Sequence, residues 1–217
     1  MSLQAILFDL DGTLINSEPV WLEVEHEVMR WLGGPWDVEH QNAVVGGALW
    51  STVDYMLALA GSRVPREEVA ERLLGLMAER LPTDLVVMPG AGELLAEAAE
   101  ADVPIALVTS TVRSLADVAI DALGRHHFAL TVAGDEVDHT KPHPEPYLKA
   151  ARLLGADPAR CVALEDSLTG VRAAEAAGCA VVAIPCVVPI EHAPTRTVLP
   201  SMEGLTVERL RSLVVRP

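Results

Sequence analysis

The sequence predicts an α/β fold: a doubly wound, Rossmann-like parallel-sheet core with an all-helical cap domain inserted after the first strand. Three observations carry this reading. Short apolar runs alternate with helix-period segments from residue 85 onward, which is the pattern of a parallel sheet covered on both faces. Residues 15–84 show helical periods and no strand signal. The apolar runs end in polar residues, and such sheets take their ligands at the carboxyl ends of the strands. The core is therefore expected over 1–15 and 85–217, and the cap over 16–84.

The elements follow in order. Gln4 to Phe8 is a short apolar run and reads as a buried strand. Trp21, Val24, Val28 and Trp31 recur at helical spacing within 18–32. Ser17 stands at the cap position, and Pro19 suits a first turn. Helical pattern returns near 50–60 and 65–81, broken by Gly33-Gly34-Pro35, Gly46-Gly47 and Gly61. Pro89-Gly90 opens a helix that runs to Glu100. Strands are then expected at 104–109, 129–133, 161–164 and 180–184. Helices are expected at 114–123, 145–154, 170–177 and 207–213.

Composition narrows the function. The chain has 217 residues, half of them apolar, and a net charge of −15. That charge argues against a nucleic-acid partner, which would require a basic face. Any anion site must be built locally, from a metal, a lysine or backbone N–H groups. No apolar run reaches the roughly 18 residues of a membrane helix, and the start shows no secretory leader. Cys161 and Cys179 open β-like runs and read as buried thiols, which suits a reduced cytoplasm. Of the 16 basic residues only Lys141 and Lys149 are lysines. A lysine is a compact point charge where arginine is a wide fork.

Polar residues gather at the strand ends. The first strand runs into Asp9 and Asp11, two acids on one side of the chain that repel unless something uses them. The second ends in Thr109 and Ser110. Gly134-Asp135 follows the third, and its loop leads to Lys141-Pro142. The fourth ends in Glu165 and Asp166. Each cluster alone serves a turn or a helix terminus as well as a reaction. Together at successive strand ends they converge on one crevice. Carboxylates without paired His or Cys select a hard cation such as Mg²⁺. Thr109, the neighbouring N–H groups and Lys141 suit phosphoryl oxygens. A carboxylate beside them can attack phosphorus, and its neighbour can move the proton.

These segments, DLDGTL at 9–14, ALVTS at 106–110, KPHPEPYL at 141–148 and ALEDSLTGVRAAEAAG at 163–178, resemble the haloacid dehalogenase superfamily. The resemblance is to its phosphatase and phosphomutase branch, with a helical cap after the first strand. It implies Asp9 as nucleophile and metal ligand. Asp11 would be general acid and base, its backbone carbonyl also binding metal. Thr109 and Ser110 would bind the transferring phosphoryl group, and Lys141 would offset charge between Asp9 and phosphate. Asp166 would ligate Mg²⁺, with Glu165 ligating it directly or through water. The chain departs from the pattern at Glu145 and Pro146, neither expected to touch the chemistry.

The resemblance also sorts the reactions. The dehalogenases lack the second aspartate, so Asp11 favours phosphoryl transfer. Phosphonate cleavage needs a cap lysine, and residues 1–140 contain none. The sugar phosphomutases place a His and an Arg in the cap, where this chain holds Trp21 and Leu49. The expected activity is Mg²⁺-dependent hydrolysis of a small phosphorylated metabolite, a sugar or polyol phosphate, through an aspartyl phosphate. The alternatives are a β-phosphoglucomutase-like mutase, with His26, Arg63 or Arg80 as substitutes, and a non-catalytic binding relative. All four tryptophans fall in the cap and are expected mainly to pack it. Trp50 and Gly47, in the stretch 46–50, are the expected substrate contacts. The protein is expected to act as a monomer, with a dimer as the alternative.

Overall fold

Six short strands form one parallel sheet: β1 (Ala5–Phe8), β2 (Ile105–Val108), β3 (Leu130–Val132), β4 (Cys161–Glu165), β5 (Ala180–Ala183) and β6 (Arg196–Val198). The structure is a computed structural model and describes residues 2–45 and 47–214. The spatial order is β3-β2-β1-β4-β5-β6. The chain reverses its direction of growth at β1, so a switch point lies between β1 and β4, where open α/β sheets bind ligands.

Alternate residues of each strand enter opposite cores, as the two-residue side-chain period requires. Ile6, Phe8, Ile105, Leu107, Val162 and Leu164 face one layer. It is built by helices α5 (Ala91–Glu100), α6 (Arg113–Leu123) and α9 (Val207–Leu213). Ala5, Leu7, Ala106, Val108 and Ala163 face the other, covered by α7 (Glu145–Leu154) and α8 (Leu168–Ala177). That second face is rich in alanine on both sides, including Ala150, Ala151, Ala173 and Ala174. Small side chains let the helices sit close to the sheet.

Among the described residues, four helices stand between β1 and α5: α1 (Glu18–Leu32), α2 (Val38–Val44), α3 (Leu49–Ala60) and α4 (Arg66–Asp84). Their apolar faces, including Val24, Val28, Val53, Met56, Leu73 and Met77, join the same cluster as Phe8 and Leu115. This interior is thus continuous with the sheet's rather than a separate small core. The chain leaves and returns at one place. Asn16 N–H donates to Val86 O (2.7 Å) and Met88 N–H to Leu14 O (2.9 Å), and Ile15 bridges Val87 antiparallel.

Two elements are additions to the sequence expectation. Helix α2 is seven residues long, too short for a clear apolar period. Strand β6 is three residues, Arg-Thr-Val, at the sheet edge. Arg196 there pairs with Glu175 at 2.8 Å, and so reads as polar surface. Among the described residues no helix is long and apolar enough to cross a membrane. The three cysteines are free, with Cys161 and Cys179 buried.

Candidate active site

The candidate side chains are held by strand ends whose backbones stay tied to their neighbours. Asp9 follows β1 directly, and its N–H donates to Leu164 O at 3.0 Å. Thr109 follows β2 and donates to Val132 O at 3.0 Å. Glu165 closes β4 and accepts from Ile184 N–H at 2.7 Å. Side chains launched from such anchored points lose little further freedom on positioning.

Lys141 reaches this group from the loop after β3. Its Nζ donates to Asp9 Oδ1 and to Glu165 Oε1, each at 2.6 Å, and its side chain is 2% exposed. Tyr147 OH, from α7, donates to the same Glu165 oxygen. Ser167 Oγ lies 3.4 Å from Glu165 Oε2. One carboxylate oxygen from each of Asp9, Glu165 and Asp166 lies within 4.8 Å of the other two.

Asp11 is held apart from that trio by two hydroxyls. Ser17 Oγ donates to Oδ1 and Thr111 Oγ1 to Oδ2, each at 2.5 Å. Ser17 does occupy the position before α1, but its hydroxyl makes no bond to the helix. It serves Asp11 instead, a correction to its expected capping role. Thr109 Oγ1 accepts from Thr111 N–H at 3.0 Å, which leaves its own proton to donate. Ser110 Oγ is buried without a hydrogen-bond partner, an unusual condition that an incoming oxygen ligand would relieve.

Two glycines make room for the acids. Gly12 has φ +77°, and a Cβ there would stand 2.2 Å from Asp166 Oδ2. A Cβ on Gly170 would stand 1.9 Å from Glu165 Oε1. Glu165 is fully buried and bonded, so it has nowhere to retreat. Gly170→Ala is therefore expected to destabilise the fold by about 1–3 kcal/mol through overpacking. Chemical denaturation measures this; unchanged stability would contradict the close fit.

One ammonium serves too many carboxylates. Burial pushes the Asp9 carboxyl up to about 7, with Lys141 opposing and Glu165 adding to the rise. Burial, then Asp9 and Glu165, hold Asp166 well above the usual carboxylate range. Burial works against the Lys141 ammonium, but Asp9 and Glu165 outweigh it and hold its pKa above the ordinary value. The surplus negative charge and the all-oxygen donor set fit a hard divalent cation.

A partly open space of about 80 Å³ lies over these groups. Asp9, Asp11, Thr109, Ser110, Lys141 and Asp166 form its floor, and Glu18, Trp21, Glu25, Gln41, Gly47 and Leu49 its roof. Gly47 is one of the lining residues, and Gly46 lies outside the described residues. Trp50 does not line the space. Helix α3 begins at Leu49, so Leu49, Thr52, Val53 and Met56 share its inward face and Trp50 is turned off it. Trp50 is 45% exposed, with the Arg66 guanidinium 4.7 Å from its ring centre. Trp31 is likewise exposed beneath Arg72, and among the tryptophans Trp36 alone is buried.

The match to known proteins agrees with this geometry. A family model described as haloacid dehalogenase-like hydrolase matches residues 3–178. The chain belongs to that family. It is 32% identical over 187 residues to hexitol phosphatase B of Escherichia coli strain K12, covering 83% of each chain. It is also 32% identical over 182 residues to fructose-1-phosphate phosphatase YqaB of the same strain, covering 80% of this chain and 92% of that one. Among solved structures, CbbY from Rhodobacter sphaeroides in complex with phosphate superposes with a TM-score of 0.83 at 32% identity. That alignment covers 97% of this chain and 99% of the other.

Sequence reasoning missed the residues that hold the floor in place. Thr111 stands two residues beyond Thr109, a same-side spacing that was there to be read. Tyr147 drew no reading of its own in the sequence. The roof residues Glu18, Glu25 and Gln41 were not singled out either, and Gln41 lies on a helix that the sequence did not signal.

Proposed function

We propose that the protein is a Mg²⁺-dependent phosphatase that hydrolyses a sugar or polyol monophosphate through an aspartyl phosphate on Asp9. The observation that carries this reading is the shared floor: Asp9 faces the same space as the Thr109 and Ser110 hydroxyls and Lys141, with Asp11 beside it on separate supports. Thr109, Ser110 and Lys141 hold phosphoryl oxygens so that an Asp9 oxygen meets phosphorus in line with the ester oxygen. The ester P–O bond breaks as the Asp9–phosphorus bond forms, and Asp11 gives its proton to the departing alcohol. Asp11 then takes a proton from water as that water attacks phosphorus, releasing phosphate and restoring Asp9. Ser17 and Thr111 keep Asp11 aimed while it changes protonation.

Asp9, Asp166 and the Asp11 backbone carbonyl would hold Mg²⁺. Glu165 would act through water, because Lys141 and Tyr147 already occupy one of its oxygens. The cation supplies charge neutralisation for the phosphoryl oxygens. Its binding requires ionised carboxylates, and Asp9 gives up its proton only near pH 7. Added Mg²⁺ is thus expected to raise Tm more at pH 8 than at pH 6, as differential scanning fluorimetry would read. An equal shift at both would separate cation binding from Asp9.

Hydrolysis is favoured over phosphate migration by the roof. Trp21 and Leu49 both line the space. His26 and Arg63 are exposed, and Arg80 is bonded to Glu27. None of the three lines the space. The named activities of the sugar-phosphate relatives support the substrate class. Free reduced thiols support a cytoplasmic setting, and the net charge of −15 argues against nucleic acid as a partner. The test is incubation of a hexitol monophosphate or hexose monophosphate with enzyme and Mg²⁺. Free phosphate that disappears on chelation is the expected result. Accumulation of a hexose phosphate isomer without free phosphate would overturn it.

A further inference from the structure

The roof of the site has a chemical character that the floor does not explain. Glu25, from α1, is 4% exposed, and Gln41, from α2, is 5% exposed. Both line the space above Asp9. Trp36 Nε1 donates to Glu25 Oε2 at 3.1 Å. The other oxygen, Oε1, accepts no hydrogen bond from the described residues. Gln41 Nε2 donates to Glu18 O at 2.9 Å and to Glu18 Oε2 at 3.2 Å, which leaves the Gln41 carbonyl free. Thr52, 7% exposed, adds a hydroxyl to the same wall. None of these three oxygens is sealed off as a buried orphan, so each stays reachable from the space and able to pair with an incoming hydroxyl.

The wall also lacks positive charge. Among the described residues that line the space, Lys141 is the one cation, and its ammonium is committed to Asp9 and Glu165. A phosphate or carboxylate placed at the roof would leave water for a wall with no free cation to pair with it. A hydroxyl, both donor and acceptor, suits every group there.

We propose that Glu25, with Gln41 and Thr52, reads the hydroxyls of the substrate's alcohol portion, and that this cation-free wall selects monophosphate esters of neutral polyhydroxyl compounds while rejecting esters that carry a second anionic group. The inference rests on the phosphatase reading and narrows its substrate. Burial pushes the Glu25 carboxyl up to about 8, with Trp36 opposing and Glu18 adding to the rise. At neutral pH it therefore presents a neutral acid, able to donate one hydrogen bond and accept another.

The experiment measures phosphate release by the full-length enzyme with Mg²⁺ on four esters: a hexitol monophosphate, the matching hexitol bisphosphate, phosphoglycolate and p-nitrophenyl phosphate. The kcat/KM for the hexitol monophosphate is expected to exceed that for the bisphosphate and phosphoglycolate by about tenfold or more. Glu25→Leu is expected to lower the ratio of kcat/KM for hexitol monophosphate to that for p-nitrophenyl phosphate about tenfold. Glu25→Gln, which can still accept from Trp36 and bond a hydroxyl, should keep most of that ratio. Equal loss on both esters in Glu25→Leu would make the residue structural and overturn the proposal. So would a bisphosphate turned over as well as the monophosphate, or an aminohexose monophosphate preferred to the neutral ester. Release from p-nitrophenyl phosphate without hexitol preference overturns this inference alone. Absence of Mg²⁺-dependent release from all four overturns the phosphatase reading and this one with it.

Discussion

Asp9→Asn is expected to reduce kcat by roughly 10⁴-fold or more, since the other carboxylates of the floor have other work: Asp11 is bound by Ser17 and Thr111, and Asp166 would hold the cation. The amide keeps the shape and keeps an oxygen for Lys141, which now donates at 2.6 Å. Stability should not fall with activity. The Asp9 carboxyl titrates near 7 in the folded chain, against 3.8 for the free group, because burial resists its charge. The folded state therefore binds that proton more tightly than the unfolded state does. Ionising Asp9 costs stability progressively as pH rises from about 4 to 7. Asparagine escapes this cost, so without Mg²⁺ the variant should match or exceed the native Tm at pH 7. Retained turnover would remove Asp9 as the nucleophile, and a large drop in Tm would make the loss of rate a folding effect.

The second large effect concerns the opposite charge. Lys141→Met keeps the length and apolar bulk of the side chain and removes the ammonium between Asp9 and Glu165. Both carboxylates are then buried at short range with no counter-charge, a condition that costs about 3–5 kcal/mol when a buried pair is broken. The cost should shrink as pH falls, because protonating either acid relieves it. Chemical denaturation at pH 8 and pH 5 would show this. Equal destabilisation at both would mean that Lys141 acts by packing rather than by charge. Turnover should also fall, by roughly 10²-fold or more, because transition-state charge loses a fixed neutralising group. An arginine is not expected to rescue it: the planar fork is too wide for a site where the native ammonium meets two oxygens at 2.6 Å.

The floor of the candidate site was legible in the sequence for a physical reason. A parallel sheet sends all its carboxyl ends to one edge, so residues such as Asp9, Thr109 and Glu165 reveal their convergence once the strands are recognised. Lys141 stood out as a lysine in a chain that otherwise writes arginine. The roof was not legible in the same way. Glu18 and Glu25 differ by seven residues on α1 and look like a solvated stripe until α2 and α3 are folded against them. Trp50 drew attention as a large aromatic near two glycines, yet one helical step of rotation moves it from the cavity to the surface beside Arg66. Strand β6 escaped because an edge strand of three residues carries little apolar signal.

The joined crossings at Leu14–Asn16 and Val86–Met88 have a consequence for how such an enzyme can change. Exit and return are neighbours, so the sheet does not register how long the excursion between them is. An insertion, a deletion or a wholesale exchange of that excursion leaves β1, and with it Asp9, where it was. Selection for a new alcohol can then act on one segment while the reacting groups stay fixed. The fold separates the part that must not vary from the part that can, and it does so with one short stretch of paired backbone.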